Sequence, residues 1–369
     1  MAKINFFRLY PYGGGSNLAL LQSLMYFSVH TGNVYTETPQ KAICGENCVL
    51  PTNFKLQELR TTKVRLGVNL IAHIKYPNSI DKSQIFDVAE VTNGFTEQLA
   101  RIALNTRTPL IVTSIETVNH RMFNSIPPFR NRLKLLIGTA YAFRVYTVKS
   151  KMFLISIGVP EEKIHIIPLG IDTNVFRPLN SKYNHELTVL YARNLERKNG
   201  IEELVRAVKI LVNKKKKIRL IIAGKGPLFS TISAMIRNFP IEMVGQVSYH
   251  QLAQLYAKAD IYCNAARDRR VLNKLIQEDG QYTFPLLESQ ASGLPLITTV
   301  SGSNEEIVHR GNVLIRENTP YSIANSIEYL MEENLRKDIG MNNRKFILRQ
   351  FNAKLLQAYA DKFYSDILK

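Results

Sequence analysis

The chain has 369 residues, of which 45% are hydrophobic and 21% charged, and this composition excludes a disordered or fibrous protein. A chain of this length exceeds the size at which one hydrophobic core usually keeps growing, so we expect two domains. Lys and Arg outnumber Asp and Glu by 48 to 30, a net charge of +18 that attracts phosphate-bearing partners such as a sugar nucleotide, an anionic membrane surface or a nucleic acid.

The cysteines and the hydropathy of the chain bear on its cellular localisation. The three cysteines, Cys44, Cys48 and Cys263, give neither a disulfide framework nor a zinc-site spacing, which favours a reducing cytoplasm. The first residues lack the apolar region of a signal peptide, and no uncharged apolar run approaches the roughly 18 residues that span a bilayer. We therefore expect any membrane contact to be peripheral, on the inner face.

The N-terminal residues predict the opening of a Rossmann-like unit. A short strand is expected at residues 3–9, a Pro-Tyr-Gly-Gly-Gly-Ser loop follows it, and a helix is expected from about residue 16 to residue 30. Further strands are expected at residues 64–72 and Leu110–Ser114, with a helix at residues 93–104 between them. Strands that alternate with helices imply a parallel sheet.

The segment at residues 126–137 leaves two interpretations open. It mixes Arg130, Arg132 and Lys134 with apolar residues. A membrane-facing amphipathic surface has this pattern, because cations beside apolar residues bind anionic lipid. An ordinary domain helix with a solvated face has the same pattern.

The second half of the chain repeats the alternation of strands and helices. A polar stretch at residues 179–186 predicts a linker, and a strand at Leu187–Ala192 and a helix at residues 200–212 follow it. More strands, each followed by a turn or a helix start, are predicted at residues 219–223, 241–244, Ile261–Asn264 and 295–299. The apolar spacing of residues 352–368 is typical of an amphipathic helix.

Two cations follow the first strand of the second half, where open α/β sheets bind their ligands. Arg193 and Lys198 come after Leu187–Ala192, and Gly200 opens a helix whose unpaired N–H groups favour anions. Arg offers a planar fork and Lys a point charge, which together suit two adjacent phosphoryl groups. The alternative is a pair of solvated surface charges.

Two further positions of the second half carry a chemical signal. Gly224 begins a Gly-Lys-Gly turn, where a missing side chain would let a ligand approach the backbone, although an ordinary turn has the same sequence. Glu288 lies in an apolar stretch, where a carboxylate needs a partner. A ribose diol is a suitable partner because an ionised Glu accepts two hydrogen bonds, and a salt bridge is the alternative.

Motifs that are specific together, although none is specific alone, occur in this order at residues 166–178, 193–200, 221–228, 256–260 and 284–297. They resemble the family 4 retaining glycosyltransferases of the GT-B fold. The first half matches that family only in its glycine loop and general pattern.

The resemblance implies two Rossmann-like α/β domains whose parallel sheets face each other across a cleft. We accordingly expect an N-terminal acceptor-binding domain at residues 1–183 and a C-terminal domain that binds the nucleotide sugar at residues 184–348. A terminal helix at residues 349–369 would cross back to the first domain.

The resemblance also implies transfer of a sugar from a nucleoside-diphosphate donor with retention of anomeric configuration. Arg193 and Lys198 would hold the diphosphate, and Glu288 would bind the ribose. The backbone of Leu286 and Leu287 would lie near the phosphates.

The loop at residues 13–16, with Gly14 and Gly15, would face the donor from the other domain. Cations and helix N-termini, rather than a dedicated metal, would stabilise the leaving diphosphate. No metal and no further cofactor are therefore expected.

One position departs from the family. A second Glu usually stands eight positions before the ribose-binding one, near the transferred sugar, and here that position is Gly280. Either Glu278 or Asp279 takes the role through a shifted loop, or the sugar is held differently. Residues 267–278 look like an insertion ahead of this motif.

The acceptor side is less specified by the sequence. The family places a His or an acidic residue after a strand of the first domain, which points to Glu116 and His120 as candidate catalytic residues beside Glu278. A surface or hydrogen-bonded role is the alternative for Glu116 and for His120. Lipid-linked and glycan acceptors are the ones that the resemblance suggests.

The function expected is transfer of a hexose from a UDP- or GDP-sugar to a lipid-linked or glycan acceptor. One alternative is a nucleic-acid-binding or DNA-glycosylating protein that exploits the basic charge, although no nucleic-acid motif accompanies it. Another, motivated by Gly280, is a non-catalytic protein that binds a sugar nucleotide.

Overall fold

The structure is a computed structural model that describes residues 2–7, 28–36, 53–59, 61–66, 69–74, 84–91, 94–118, 126–179, 186–271, 274–278 and 282–369. Contacts divide the chain into two compact units. Unit 1 comprises Met1–Gly170 and Ala353–Lys369, and unit 2 comprises Ile171–Asn352. The boundary between the units thus lies ahead of the expected one at residues 183 and 184.

Unit 1 is built on a sheet of seven parallel strands within the described residues. The described strands of unit 1, including two that lie outside this sheet, are β1 (Lys3–Phe7), β2 (Thr31–Thr36), β3 (Phe54–Glu58), β4 (Thr61–Leu66), β5 (Asn69–Ile74), β6 (Ile85–Ala89), β7 (Leu110–Ser114), β8 (Ala142–Val145) and β9 (Ile164–Ile166). The order across the sheet is β3-β2-β1-β6-β7-β8-β9, and every neighbouring pair is parallel. Its first helices are α1 (Gly94–Thr106), α2 (Pro127–Thr139) and α3 (Val148–Ser156).

Two expectations for unit 1 differ from the structure. The pattern at residues 64–72 predicts one strand, but residues 64–66 belong to β4 and residues 69–72 belong to β5, and these two strands pair antiparallel outside the main sheet. The sequence has a glycine at position 67, a possible turn residue that the single-strand prediction did not take into account. The helix predicted at residues 16–30 lies mostly outside the described residues, and residues 28–30 are not helical.

Helix α2 corresponds to the segment with two open interpretations. Phe129 and Leu136 are buried, and so is Arg132, whose guanidinium lies 5.1 Å from the Phe129 ring centre. Burial lowers the pKa of Arg132 from 12.5 to about 10. Arg130 and Lys134 are exposed, so α2 buries one face in unit 1 and presents these two cations to solvent. No helix among the described residues is long and apolar enough to span a bilayer.

Unit 2 carries a second parallel sheet, with six strands among the described residues. The described strands of unit 2 are β10 (Leu187–Ala192), β11 (Ile218–Ala223), β12 (Ile241–Gly245), β13 (Ile261–Asn264), β14 (Arg269–Val271), β15 (Lys274–Gln277), β16 (Leu296–Thr299) and β17 (Val313–Ile315). The sheet order is β12-β11-β10-β13-β16-β17, whereas β14 and β15 form a separate antiparallel hairpin. Its helices are α4 (Ile201–Asn213), α5 (Phe229–Met235), α6 (Tyr249–Lys258), α7 (Phe284–Ala291), α8 (Asn304–Ile307), α9 (Pro320–Tyr329) and α10 (Glu333–Gln350).

The apolar strands of unit 2 explain why its sheet is parallel and buried. Strand β10 reads Leu-Thr-Val-Leu-Tyr-Ala, a nearly continuous apolar run of the kind that helices cover on both faces. Helix α4 packs against β11 and also against α9, and Arg206 is one of its few exposed residues. Because all six strands run the same way, their carboxyl ends lie at one edge of the sheet.

The last helix, α11 (Ala353–Asp366), belongs to unit 1 and is attached to its sheet by buried polar groups. The Tyr364 hydroxyl donates to a carboxylate oxygen of Asp87 in β6, and the Arg144 guanidinium in β8 donates to the Tyr364 oxygen over 3.0 Å. Asp87 also accepts from the Thr113 hydroxyl at 2.7 Å. Helix α11 therefore completes the buried hydrogen bonding of two sheet strands.

We expect Tyr364→Phe to lower the free energy of unfolding by about 1–3 kcal/mol, because Asp87 and Arg144 would each lose a partner while remaining buried. Urea denaturation measures the loss. Tyr359→Phe is the matched control, since Tyr359 lies on the same helix with 57% of its surface exposed. Equal effects of the two substitutions would contradict the role of this hydrogen-bond network.

Candidate functional site

The carboxyl ends of three neighbouring strands in unit 2 are joined by polar side chains. Arg193 follows β10, and its guanidinium donates to the Asn264 side-chain oxygen over 2.7 Å. Asn264 ends β13 and in turn donates to the Thr298 hydroxyl of β16 at 3.1 Å. The sheet therefore holds the Arg193 guanidinium at the edge where the sequence predicts a diphosphate site.

The same row of hydrogen bonds continues into the loop after β16. The Asn304 amide donates to the Thr298 hydroxyl at 3.3 Å and to the Thr299 carbonyl at 3.0 Å. Asn264, Thr298 and Asn304 are fully buried, and none of the three was predicted as a site residue. Their signal in the sequence is a polar residue at the end of an apolar strand or directly after it.

The turn after β11 lies against the turn after β10. Gly224 has a φ of 143°, and a Cβ atom on it would stand 2.1 Å from the Arg193 carbonyl oxygen. The Leu195 N–H donates to the Lys225 carbonyl at 2.9 Å. Gly224 therefore lets the two turns approach each other and fixes the backbone at Arg193, a role that the prediction of an open ligand-facing turn did not include.

Lys198 lies in a 3₁₀ turn between β10 and α4, with 46% of its side chain exposed. Its ammonium group is 3.2 Å from the Glu196 carboxylate. The first turn of α4 already carries two buried carboxylates, Glu202 and Glu203, and Glu203 pairs with Arg267. These carboxylates stabilise the helix dipole at the end where an anion was expected.

Glu288 is buried in α7, with 5% of its surface exposed, and its partner is a phenol rather than a cation. The Tyr256 hydroxyl of α6 donates to a Glu288 carboxylate oxygen at 3.1 Å. Burial raises the pKa of Glu288 from 4.5 to about 7, and the bond from Tyr256 opposes part of that rise. The salt bridge considered as the alternative for Glu288 is absent from the described residues.

Leu286 and Leu287 lie in the first turn of α7, which begins at Phe284 with Pro285 next to it. Both leucine side chains are fully buried, so only their backbone is available to a ligand. The Leu286 N–H donates to the Thr283 carbonyl at 3.1 Å. The amino end of α7 lies beside the buried row, because Thr283 and Asn304 side chains are 3.5 Å apart.

The residues expected near the transferred sugar are partly described. Glu278 directly follows β15 and is buried, with 6% of its surface exposed. Asp279 and Gly280 lie outside the described residues. Whether Glu278 takes the role of the missing family Glu thus stays a prediction.

The acceptor-side prediction falls on the carboxyl end of β7 in unit 1. Glu116 is half-buried, and its N–H donates to the Ser114 hydroxyl at 3.3 Å. His120, Gly14 and Gly15 lie outside the described residues.

A carboxylate that the sequence analysis missed lies next to Glu116. Glu90 follows β6, is buried, and accepts from the Ser114 hydroxyl at 2.7 Å and from the Ile115 N–H at 2.6 Å. The sequence pattern that could have indicated Glu90 is an acidic residue directly after a mostly apolar strand. Two carboxylates therefore stand at the ends of neighbouring strands β6 and β7.

In the part of the chain that the structure describes, no group of three or more His, Cys, Asp or Glu side chains could hold a metal ion.

The chain is similar to known glycosyltransferases in sequence. The sequence pattern of the family described as Glycosyl transferases group 1 matches residues 172–346. The uncharacterized glycosyltransferase MJ1069 of Methanocaldococcus jannaschii is 24% identical over 217 residues, 55% of this chain and 53% of that protein. The capsular polysaccharide biosynthesis glycosyltransferase CapM of Staphylococcus aureus is 23% identical over 279 residues, 73% of this chain and 65% of CapM. The chain spans about half the length of the first curated relatives it matches.

A solved structure resembles the chain over nearly its whole length. Anabaena Alr3699/HepE, in a crystal structure with UDP-glucose, gives a TM-score of 0.75 at 16% identity and covers 99% of this chain and 100% of that one. With the two parallel sheets, this likeness confirms the expected GT-B fold.

We expect Gly224→Ala to lower the free energy of unfolding by more than the roughly 1–3 kcal/mol of backbone strain alone, because its Cβ would also clash with the Arg193 carbonyl. Urea denaturation of unit 2 measures the loss. Gly311→Ala is the control, since Gly311 has a φ of 105° but no atom within 4 Å of an added Cβ. A smaller loss for Gly224→Ala than for Gly311→Ala would exclude the close approach as a constraint.

We expect the free energy of unfolding to fall as pH rises from about 4.5 to about 7, because folding holds the Glu288 proton in that window. Glu288→Gln should remove up to roughly 3 kcal/mol of this pH dependence. Denaturation at pH 5 and pH 8 measures it, with the exposed Glu305→Gln as the control for the lost charge. Parallel pH profiles for wild type and Glu288→Gln would contradict a raised pKa at Glu288.

Proposed function

We propose that the protein transfers a hexose from a nucleoside-diphosphate sugar, with retention of anomeric configuration, because residues 172–346 match the family pattern of the glycosyl transferases group 1. The donor is a UDP- or GDP-sugar, and UDP comes first because the neighbour Alr3699/HepE is known in complex with UDP-glucose. The acceptor is a glycan or a lipid-linked sugar. The name of the relative CapM, a capsular polysaccharide glycosyltransferase, favours the glycan.

The observation that carries the proposal is the Arg193 guanidinium held at the carboxyl ends of β10 and β13. A planar guanidinium matches phosphate geometry, and its bond to Asn264 holds it before any ligand arrives. Preorganised donors of this kind stabilise charge without reorganising during the reaction. In the proposed complex Arg193 binds the diphosphate, and Lys198 adds a second positive charge.

The ribose is proposed to bind at Glu288. Its carboxyl group is buried beside the Tyr256 hydroxyl, which occupies one carboxylate oxygen and orients the group. A ribose diol can donate two hydrogen bonds to a carboxylate. Ribose binding would therefore give the buried Glu288 carboxylate hydrogen-bond donors beside Tyr256. The backbone of Leu286 and Leu287, in the first turn of α7, then lies at the phosphates, where the helix dipole favours negative charge.

In the proposed reaction the bond between the anomeric carbon and the diphosphate oxygen breaks, and a bond from the acceptor hydroxyl oxygen forms. The nucleoside diphosphate leaves with the bonding electron pair, and Arg193, Lys198 and the α7 dipole stabilise its charge without a metal. Glu116 or His120 takes the acceptor proton. Glu278 would contact the transferred sugar, in place of the family Glu that Gly280 replaces.

We expect Arg193→Ala to weaken donor binding by about tenfold or more, since a charge-assisted hydrogen bond to phosphate is lost. Titration with UDP, GDP, UDP-glucose and GDP-mannose measures affinity, and released nucleoside diphosphate measures turnover. Arg206→Ala is the matched control, because Arg206 lies on α4 and pairs with Glu203.

Binding of a donor that is equal in wild type, Arg193→Ala and Arg206→Ala would contradict the proposed diphosphate site. Binding without turnover, for every donor and acceptor tested, would instead favour the non-catalytic relative that Gly280 suggests. Where turnover occurs, the anomeric configuration of the product, read by NMR, tests retention.

A further inference from the structure

The strand order of each sheet reverses at one place. In unit 1 the order β3-β2-β1-β6-β7-β8-β9 reverses between β1 and β6, and in unit 2 the order β12-β11-β10-β13-β16-β17 reverses between β10 and β13. Open α/β sheets bind their ligands beyond the carboxyl ends of the strands at such a reversal. In unit 2 this is where Arg193 lies, so the end of β6 is the corresponding place in unit 1.

A buried polar pair lies at this place in each sheet. In unit 2, Asn264 ends β13, the first strand beyond the reversal, and donates to a hydroxyl of the next strand, β16, at 3.1 Å. In unit 1, Glu90 directly follows β6, the first strand beyond the reversal, and accepts from the Ser114 hydroxyl of the next strand, β7, at 2.7 Å. The pair in unit 2 holds the Arg193 guanidinium, whereas the pair in unit 1 holds backbone groups.

The backbone directly after β7 depends on this pair for its hydrogen bonds. The Ile115 N–H donates to Glu90 Oε1 at 2.6 Å, and the Glu116 N–H donates to the Ser114 hydroxyl oxygen at 3.3 Å. The same hydroxyl donates to Glu90 Oε2. Because a carboxylate has two acceptor oxygens and no donor, Glu90 can accept from both groups at once. One carboxylate therefore fixes, directly or through one hydroxyl, two consecutive N–H groups beyond the end of the strand.

Glu90 is itself held firmly. Its carbonyl accepts from the Thr96 hydroxyl of α1 at 2.6 Å, and Thr96 is fully buried. Its side chain is buried too, and bonds from N–H and O–H donors to a carboxylate are shorter and stronger than bonds between neutral groups. A group that positions another residue must be rigid, since functional geometry tolerates errors of only about 0.5 Å. Glu90 meets this requirement from both its main chain and its side chain.

A role limited to stability is the alternative for Glu90. The preceding residue of β7 offers a comparison, because the Thr113 hydroxyl donates to the buried Asp87 carboxylate at 2.7 Å. Successive residues of a strand point to opposite faces of the sheet, so Thr113 and Ser114 serve different surroundings. The Thr113 bond joins the network that attaches α11, whereas the Ser114 bond leads to Glu116.

We propose that Glu90 is a positioning residue that holds Glu116, through Ser114 and the Ile115 N–H, where Glu116 takes the proton of the acceptor hydroxyl. As the acceptor oxygen bonds to the anomeric carbon and the nucleoside diphosphate leaves with the bonding electron pair, that proton passes to the Glu116 carboxylate. This inference rests on the proposed function, and it assigns the proton to Glu116 rather than to His120.

The first arm of the test measures amide hydrogen exchange by NMR in the protein without ligand. Ser114→Ala removes the acceptor of the Glu116 N–H and should raise its exchange rate at least about fivefold. Glu90→Gln leaves one acceptor oxygen for two donors and should do the same at the Ile115 N–H. The matched control is Thr113→Val, which removes a buried hydroxyl bond from the same strand and should leave both amides unchanged.

The second arm measures transfer from UDP-glucose and from GDP-mannose to a panel of p-nitrophenyl hexosides. Ser114→Ala and Glu90→Gln should each lower kcat at least about tenfold and change the donor KM less than about twofold, because a misplaced base slows the chemical step. Thr113→Val should keep the kcat of wild type while urea denaturation shows a comparable loss of stability. In a Glu116→Gln background, Glu90→Gln should lower kcat less than about twofold further, since its effect passes through Glu116.

Unchanged exchange at both amides in Ser114→Ala and Glu90→Gln would overturn the inference. Equal losses of kcat in Thr113→Val and Ser114→Ala, or additive losses from Glu90→Gln and Glu116→Gln, would also overturn it, because Glu90 would then be structural only. Should Glu90→Gln unfold, Ser114→Ala decides both arms. Absence of transfer in every protein would instead reject the proposed function, while the exchange rates still decide whether Glu90 holds Glu116.

Discussion

The arrangement of unit 2 depends on a buried row of hydrogen bonds across the ends of three parallel strands. A buried amide without a partner costs about 1–3 kcal/mol, so Asn264 must be satisfied on both sides, by Arg193 and by Thr298. Satisfying it fixes β10, β13 and β16 relative to one another at their carboxyl ends. The requirement that stabilises the sheet edge also sets the position of the guanidinium, so stability and ligand geometry have one cause.

Two buried carboxyl groups illustrate how differently such groups are used in the two units. Asp87 accepts hydrogen bonds from Thr113 and Tyr364, and Arg144 donates to the same Tyr364 hydroxyl. The burial of Asp87 is therefore compensated within unit 1. Glu288 has one phenol as its partner, and desolvation raises its pKa to about 7. A buried carboxyl group whose desolvation is fully offset by hydrogen bonds from the protein has a structural role. A buried carboxyl group with too few such bonds, at the edge of a sheet, gains most from hydrogen bonds that a ligand donates.

The sequence predicted features that a local pattern determines and missed those that depend on neighbours in space. Strand Leu187–Ala192 was predicted with its observed bounds because a buried parallel strand is a continuous apolar run. The single strand predicted at residues 64–72 is wrong, because a hairpin of two apolar strands has the same composition. Asn264 and Glu90 were missed since their meaning depends on which strand ends are adjacent, which no local pattern specifies.

The sheet edge of unit 2 and the loop that carries the hairpin β14–β15 are held in different ways. The sheet edge is constrained by the Arg193–Asn264 bond and by the close approach at Gly224, so substitutions there disturb the fold itself. A loop that leaves and rejoins that edge can change in length at little extra cost in closure entropy. Its first residues, Arg267 and Asp268, are bonded to Lys198 and Ser301. Substitutions beyond these two residues would leave the contacts of Arg193 and Gly224 unchanged, which separates changes in the loop from changes in the sheet edge.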